Sequence, residues 1–562
     1  MKATERRWLH LGLLVGWIVV GAWLRFTNLA AKPLWTDEFS TIVFSLGNSF
    51  HTVPLDRVIS MAELLQPLQP NPQAGVGAVI HNLLTESNHP PLYFVLTHLW
   101  LQLFPFDQGL VSVWAVRSLS ALLGVVSIPA AFGLAWLAFR SRLTAQIAAA
   151  LMATSPFGIY LAQEARHYTL PIVWAIASLT CLIVAVRALY QNRTLPLLLC
   201  GGWILVNGLG IATHYFFTLV LVAEGLVLLL LTSRQVRAAV SAQKLGSSGW
   251  QRLGLVVAGS IVSGLVWLPF IRGASDTELT RWIVRSDRQG LEWLDPIAQT
   301  VAGWITMIYL LPIQAGDRRV VIVSVVALLL LSLGTLVLLV RGWIVLWKTA
   351  ENRLPLLGLG GFVAAAIALF LGITYVLQRD VTSAFRYNFV YFPAGVVLMG
   401  GAIAHYWRQQ CKWIVVLIIA LSCLGGVTVV TNLGYQKTHR PDLVVQAMQA
   451  KPQSNGLVAI AHRSHGQTGR LMGIAHDWQR HPIANTTVRF LLASQTPDPN
   501  DVITSLQRAL EGQPRPFDLW LINMESVAPR PLRKLLNQQG CTARDDSASV
   551  DGYRYQRFGC QR

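Results

Sequence analysis

The sequence predicts a polytopic α-helical membrane protein with a small C-terminal α/β domain. Three observations carry this. Hydrophobic residues are 53% and charged residues 13% of the 562, whereas a water-soluble domain usually has about a quarter of its residues charged. Apolar runs of the length needed to cross a bilayer as a helix, about 20 residues, recur along the chain. After Tyr435 the pattern changes to short apolar runs in polar sequence.

Spans are expected near 8–29, 112–138, 144–162, 168–188, 195–213, 215–232, 253–271, 320–346, 354–376, 386–406 and 413–432, eleven in all. The first follows Lys2, Arg6 and Arg7 and resembles a signal peptide. Its apolar stretch is long and Leu29-Ala30-Ala31 is a poor cleavage site, so it reads as an uncleaved span. The apolar stretches Pro91–Pro105 and 293–312 read as interfacial segments. The 20 tryptophans fit interfacial anchoring.

Orientation follows from the basic loops. Arg140 and Arg142, Arg187 and Arg193, Arg234 to Arg252, Arg341 to Arg353, and Arg408 with Lys412 fall in alternate loops, and Lys and Arg concentrate on the cytoplasmic side. The N-terminus is then inside. The loop 30–111, the loop 272–319 and the tail lie outside, which makes this a multi-pass plasma or inner-membrane protein. Two parts are expected: a membrane domain over 1–435 and an extracytoplasmic α/β domain over 436–562. The formal charge of +18 is accounted for by these loops, and no basic domain of the kind that binds nucleic acid is present.

In the tail, Leu457–Ala461 and Phe517–Ile522 read as buried strands, Asp501–Leu510 as a helix and Val550–Phe558 as an edge strand. Cys181, Cys200, Cys411 and Cys423 lie in or beside apolar runs and read as packed small residues. Cys541 and Cys560 could pair if the tail is extracytoplasmic. His462, His465, His476 and Asp477 have no strong metal-ligand spacing, and no metal site is assigned.

The residues that could carry chemistry cluster beside the spans. Asp37-Glu38 follows the first span. It serves either as a helix cap or as a base that takes a proton from a hydroxyl. Asn88-His89-Pro90-Pro91 ends the same loop, and His89 is either a structural hydrogen-bonder or a ligand for phosphate, substrate or metal, although one His with scattered acids does not make a metal site. Gln163-Glu164-Ala165-Arg166-His167-Tyr168 joins two spans, and Phe385-Arg386-Tyr387 opens another. An arginine there either snorkels or binds phosphate.

In their order, Leu34-Trp35-Thr36-Asp37-Glu38, His89-Pro90-Pro91-Leu92-Tyr93, Arg117–Leu122, Ser155-Pro156, Gln163–Tyr168 and Arg386-Tyr387 resemble the GT-C superfamily of glycosyltransferases. The likeness is to the branch of the protein O-mannosyltransferases and the lipid A aminoarabinose transferase. It covers 30–190 well, 380–406 loosely and the tail not at all. It implies an inverting transfer from a sugar on a polyprenyl phosphate to a hydroxyl of a glycan, lipid or protein, at the outer membrane face. It also implies Asp37 as general base and Glu38 as its support. Arg386 and Tyr387 would bind the lipid phosphate, and Arg166, Glu164, Tyr168 and His89 would line the donor cavity. Some members need a divalent metal and others do not. The stretch between Glu38 and His89 is longer than the family's usual first loop. The alternative is a transporter or flippase for a lipid-linked sugar, but the internal repeats common in transporters are missing from the sequence.

Overall fold

The computed structural model describes residues 3–107, 109–240, 247–270, 283–285, 287–450, 455–495 and 501–561. The chain opens with α1 (Ala3–Phe26), followed in the first loop by α2 (Thr36–Ser45), α3 (Met61–Leu65), α4 (Val76–Glu86) and α5 (Leu92–Leu101). The bundle continues with α6 (Val113–Phe139), α7 (Arg142–Thr154), α8 (Pro156–Ala162), α9 (Thr169–Tyr190), α10 (Leu197–Thr213), α11 (Phe217–Val240) and α12 (Ser247–Leu265). After these come α13 (Asp295–Ile308), α14 (Arg318–Lys348), α15 (Ala350–Val376), α16 (Phe392–Arg408) and α17 (Lys412–Val430). The tail adds α18 (Pro441–Gln449), α19 (His465–Arg480), α20 (Asp501–Glu511) and α21 (Pro529–Gln538).

A helix underlies each of the eleven expected spans. By length and apolar character α1, α6, α9, α14, α15 and α17 can each cross a bilayer, and the α7–α8 pair, bent by 53°, could make a seventh. The span expected from 386 begins instead with a 3₁₀ turn, Phe385–Val390. Its α-helix starts at Phe392, where Pro393 suits the first helical turn. The interfacial segments are short: α5 has 10 residues and α13 has 14.

The α7–α8 bend has a local cause. Pro156 has no N–H for the Met152 carbonyl. The fully buried Arg25, in the last turn of α1, supplies the missing donors, giving Nη2 to Met152 O at 2.8 Å and Nη1 to Ala153 O at 2.9 Å. Elsewhere small residues let helices approach closely. A Cβ on Gly342 of α14 would lie 2.5 Å from the Ala402 carbonyl of α16.

Among the described residues, arginines of four of the five expected basic loops gather at one end of the bundle, while 241–246 of the Arg234 to Arg252 loop lie outside the described residues. Arg140, Arg187 and Arg353 line a single cleft there, and Arg408 reaches Ser141 Oγ at 2.8 Å. The first loop and the tail cover the other end and share one apolar core, in which Phe39, Ile42 and Phe44 meet Leu471, Met472 and Ile474.

The tail is built on β2 (Asn455–His462), β3 (Thr487–Ser494), β4 (Phe517–Ile522), β5 (Cys541–Ala543), β6 (Ala548–Val550) and β7 (Tyr553–Cys560), and the first loop contributes β1 (Val58–Ile59). The order is β1-β3-β2-β4-β7-β5, with β6 also on β7. β3, β2 and β4 are parallel, Val458 facing both Phe490 and Trp520. β4 and β2 are apolar throughout their centres because both faces are covered. The segment expected as an edge strand is internal. β7 pairs β4 on one side and β5 and β6 on the other, and these two strands, of three residues each, are too short to show as runs in the sequence. Cys541 and Cys560 face each other across β5 and β7 and are disulfide-bonded.

β1 is locked in place by Asp56, whose Oδ1 accepts from Ser494 N at 2.8 Å and Ser505 Oγ at 2.7 Å. Asp56→Ala strands both donors, a loss of about 1–3 kcal/mol each where they stay buried. The expected outcome is a lower melting temperature and faster proteolytic cleavage of the 50–75 stretch, with the bundle intact by gel filtration.

Candidate active site

α2 carries both carboxylates in its first turn, and neighbouring helix positions point in different directions. Glu38 points inward and is fully buried. Arg117 grips it with two parallel bonds, Nε to Oε1 and Nη2 to Oε2, both 2.8 Å. Ala165 N donates to Oε1 at 2.8 Å and Lys437 Nζ lies 3.5 Å from Oε2. Burial alone would raise this carboxyl, but the Arg117 and Lys437 charges outweigh it and hold it below the usual carboxylate range. Arg117 also donates to the carbonyls of Leu29, Lys32 and Pro33. One guanidinium therefore fixes the whole turn that leads from α1 into α2.

Asp37 points outward. Its side chain is 31% exposed, and Oδ2 lies 3.8 Å from Arg166 Nη2 and 3.9 Å from Arg386 Nη2. Both arginines are enclosed. Arg166 donates to Asp37 O at 3.0 Å, Thr41 Oγ1 at 3.2 Å and His89 Nε2 at 3.0 Å. A guanidinium cannot accept, so His89 Nε2 is the acceptor and its proton sits on Nδ1, facing Ser87 Oγ at 3.1 Å. Burial and then the Arg166 charge push the His89 pKa well below 6.5. Arg386 lies over the rings of Trp35, at 5.3 Å, and Tyr387, at 5.5 Å.

These groups open on a cavity of about 480 Å³. Asp37, His89, Arg166, Tyr168, Arg386 and Tyr387 line it together with His214, Phe216, Leu219 and Ile373. The lining thus combines cationic and polar side chains with aromatic and apolar ones. Of the expected donor-cavity residues, Glu164 alone does not face it. It is buried behind the site, where Oε1 accepts from Lys437 Nζ at 2.9 Å.

Sequence reasoning gave Arg117 no role, did not single out Lys437 or His439, and weighed His465 only as a metal ligand. An arginine five residues into an apolar span was the available signal for Arg117. The others come from the tail and carry none. His465 and Gly466 line the cavity, the His465 ring stacks on Phe50 at 5.0 Å, and His439 Nδ1 pairs with Thr36 Oγ1 at 2.9 Å. Among the described residues no three His, Cys, Asp or Glu side chains gather to hold a metal ion.

No family model matches this chain, and no curated protein does. Among solved structures, ArnT from Cupriavidus metallidurans aligns over 100% of this chain and 98% of its own, at 13% identity and a TM-score of 0.48. ArnT bound to undecaprenyl phosphate gives 14% identity, 99% and 98% coverage and 0.49. The oligosaccharyltransferase AglB from Archaeoglobus fulgidus, with an inhibitory peptide and a dolichol-phosphate, covers 98% of this chain and 74% of its own at 11% identity and 0.44. These alignments assign no residue roles.

Two outcomes follow from the geometry. Glu38→Gln leaves the buried Arg117 without its counter-charge, a loss of about 3–5 kcal/mol, and should abolish stable expression. Asp37→Asn should leave the melting temperature within about 1 °C, because its carboxylate lies at a water-exposed rim. Acid should also weaken the fold. His439 and His465 are brought down to about 4, chiefly by burial, so the folded chain binds fewer protons than the unfolded one below 6.5. Their contribution is complete above pH 6.5 and lost as pH falls towards 4. The melting temperature should therefore drop between pH 7 and pH 5.

Proposed function

We propose that this chain is an inverting glycosyltransferase that moves a sugar from a polyprenyl-phosphate carrier to an acceptor hydroxyl at the outer face of the membrane. The observation that carries this is the placement of Asp37. It is a partly exposed carboxylate between two enclosed arginines, at the rim of a cavity lined by both cationic and apolar side chains. The apolar lining of Phe216, Leu219 and Ile373 suits a polyprenyl chain, and the arginine forks suit its phosphate.

In this reading the acceptor hydroxyl lies against Asp37 and attacks the anomeric carbon opposite the phosphate. The new bond is acceptor oxygen to C1. The bond that breaks joins C1 to the phosphate oxygen, which leaves with the electron pair. Asp37 takes the hydroxyl proton, and Arg386 stabilises the charge that develops on the phosphate. Arg166 stands opposite, held in place by neutral His89, with Tyr168 and Tyr387 shaping the donor side. Glu38 and Glu164 act behind the site, by fixing Arg117, Lys437 and the α2 turn.

Two observations support an extracytoplasmic site. The basic loops lie at the far end of the bundle, as the cytoplasmic side would have them. The tail carries a disulfide, which persists in an oxidising compartment.

The test is transfer by purified protein from radiolabelled polyprenyl-phosphate sugars to an envelope fraction. Asp37→Asn should lower kcat by about 10²–10⁴-fold, and Arg386→Gln by about 10²–10³-fold. Undiminished transfer by Asp37→Asn would sink the assignment. Movement of the lipid-linked sugar across vesicles with no glycosidic product would instead favour a flippase.

A further inference from the structure

The tail has a second cleft, and the sheet topology explains it. From β2 the chain goes to β3 on one side and then returns to β4 on the other. The connections after β2 and β4 therefore diverge, leaving a crevice beyond the carboxyl ends of these two strands. Ligands of open α/β sheets bind at such a switch point. Here the crevice has a volume of about 430 Å³. Arg463 and Gln467 come from the β2 side, Asn523 and Ser526 from the β4 side, and Arg470 and Arg554 from α19 and β7. Glu525 is the one carboxylate against three arginines.

Several of these donors point nowhere else. Arg463 is held through Nε by the Gln495 amide oxygen, and its two Nη groups have no protein partner among the described residues. Arg554 gives Nε to Ser547 Oγ at 3.2 Å and likewise keeps its Nη fork. Gln467 uses its amide oxygen to cap α19 through Ser464, which leaves its NH₂ available. Guanidinium forks match carboxylate and phosphate, and amide and hydroxyl groups between them match sugar hydroxyls.

The crevice is next to the candidate active site along α19. His465 and Gly466 line the donor cavity, while Gln467 and Arg470, one turn or less further on, line the crevice. A contact chain joins the two: Arg470 Nη2 lies 3.4 Å from His439 Nε2, and His439 Nδ1 pairs with Thr36, the residue before Asp37. Gly469 makes this contact possible, since a Cβ there would meet Thr36 Cγ2 at 3.2 Å.

We infer that this crevice is the acceptor subsite, and that it holds a saccharide bearing a carboxylate or a phosphate while a neighbouring hydroxyl reaches Asp37. The inference rests on the transferase reading, but its binding step is independent of it. The experiment uses the full chain in nanodiscs, titrated by saturation-transfer NMR with galacturonate, glucose 6-phosphate and neutral glucose. Binding of one or both charged sugars, at least tenfold weaker in Arg463→Gln/Arg554→Gln and absent for glucose, is expected. Equal binding by the wild type and the double variant, or none of either charged sugar, overturns the subsite. Galacturonate and glucose 6-phosphate tell carboxylate from phosphate recognition. Asp37→Asn should retain the binding that the double variant loses, so a failed transferase reading is distinguishable from a failed crevice. In the transfer assay the double variant should raise the acceptor KM about tenfold, leaving kcat and the donor KM unchanged. Binding lost without any change in acceptor KM would make the crevice an effector site and overturn its role in acceptor binding.

Discussion

The buried ion pair of Glu38 with Arg117 is the contact on which the rest of the site depends. It links the loop after the first span to α6, and through Ala165 and Lys437 it also ties in the α8–α9 junction and the start of the tail. Such a pair adds little net stability over well-packed apolar residues, yet losing one partner is severe. Its value lies in position. Four segments far apart in sequence meet on one carboxylate, and the helix that displays Asp37 has no freedom to rotate.

That arrangement divides two adjacent and chemically identical carboxylates. Glu38 is enclosed, charge-balanced and held below its usual range. Asp37, one residue earlier, is a third exposed and set between arginines that approach without clamping it. A carboxylate held by short bidentate bonds would make a poor base, whereas one at 3.8–3.9 Å from its cations keeps its lone pairs open to a hydroxyl. The histidines contribute by staying neutral. His89 accepts from Arg166, which it could not do as an imidazolium, so it aims the guanidinium without adding a competing cation. The tail completes the site from above: α19 packs on α2, and His465 and Gly466 reach the cavity.

Much of this was legible in the sequence. The helical segments follow from run length, a property of local composition, and arginines of three of the expected basic loops, Arg140, Arg187 and Arg353, meet in one cleft. Asp37, His89, Arg166 and Arg386 stand out because each sits beside an apolar run, where a polar group needs a reason, and the structure brings them to one cavity. The roles of Glu38 and Glu164 were less legible, since a partner such as Lys437 lies hundreds of residues away and nothing local announces it. The same limit explains β1 and β7. Two residues of the first loop extend the tail sheet, and the strands that make β7 internal are three residues each, too short for a periodicity to show. For this reason the boundary at 435 separates the sequence better than it separates the structure.

The most direct measurement is an electron cryomicroscopy structure of the full chain in nanodiscs loaded with undecaprenyl phosphate. This account places the phosphate within hydrogen-bonding reach of Arg386 in the Asp37 cavity, with the prenyl chain along Phe216, Leu219 and Ile373 and Glu38 still closed on Arg117. Phosphate density seated at the opposite end, in the cleft of Arg140, Arg187 and Arg353, with the Asp37 cavity empty, would contradict it.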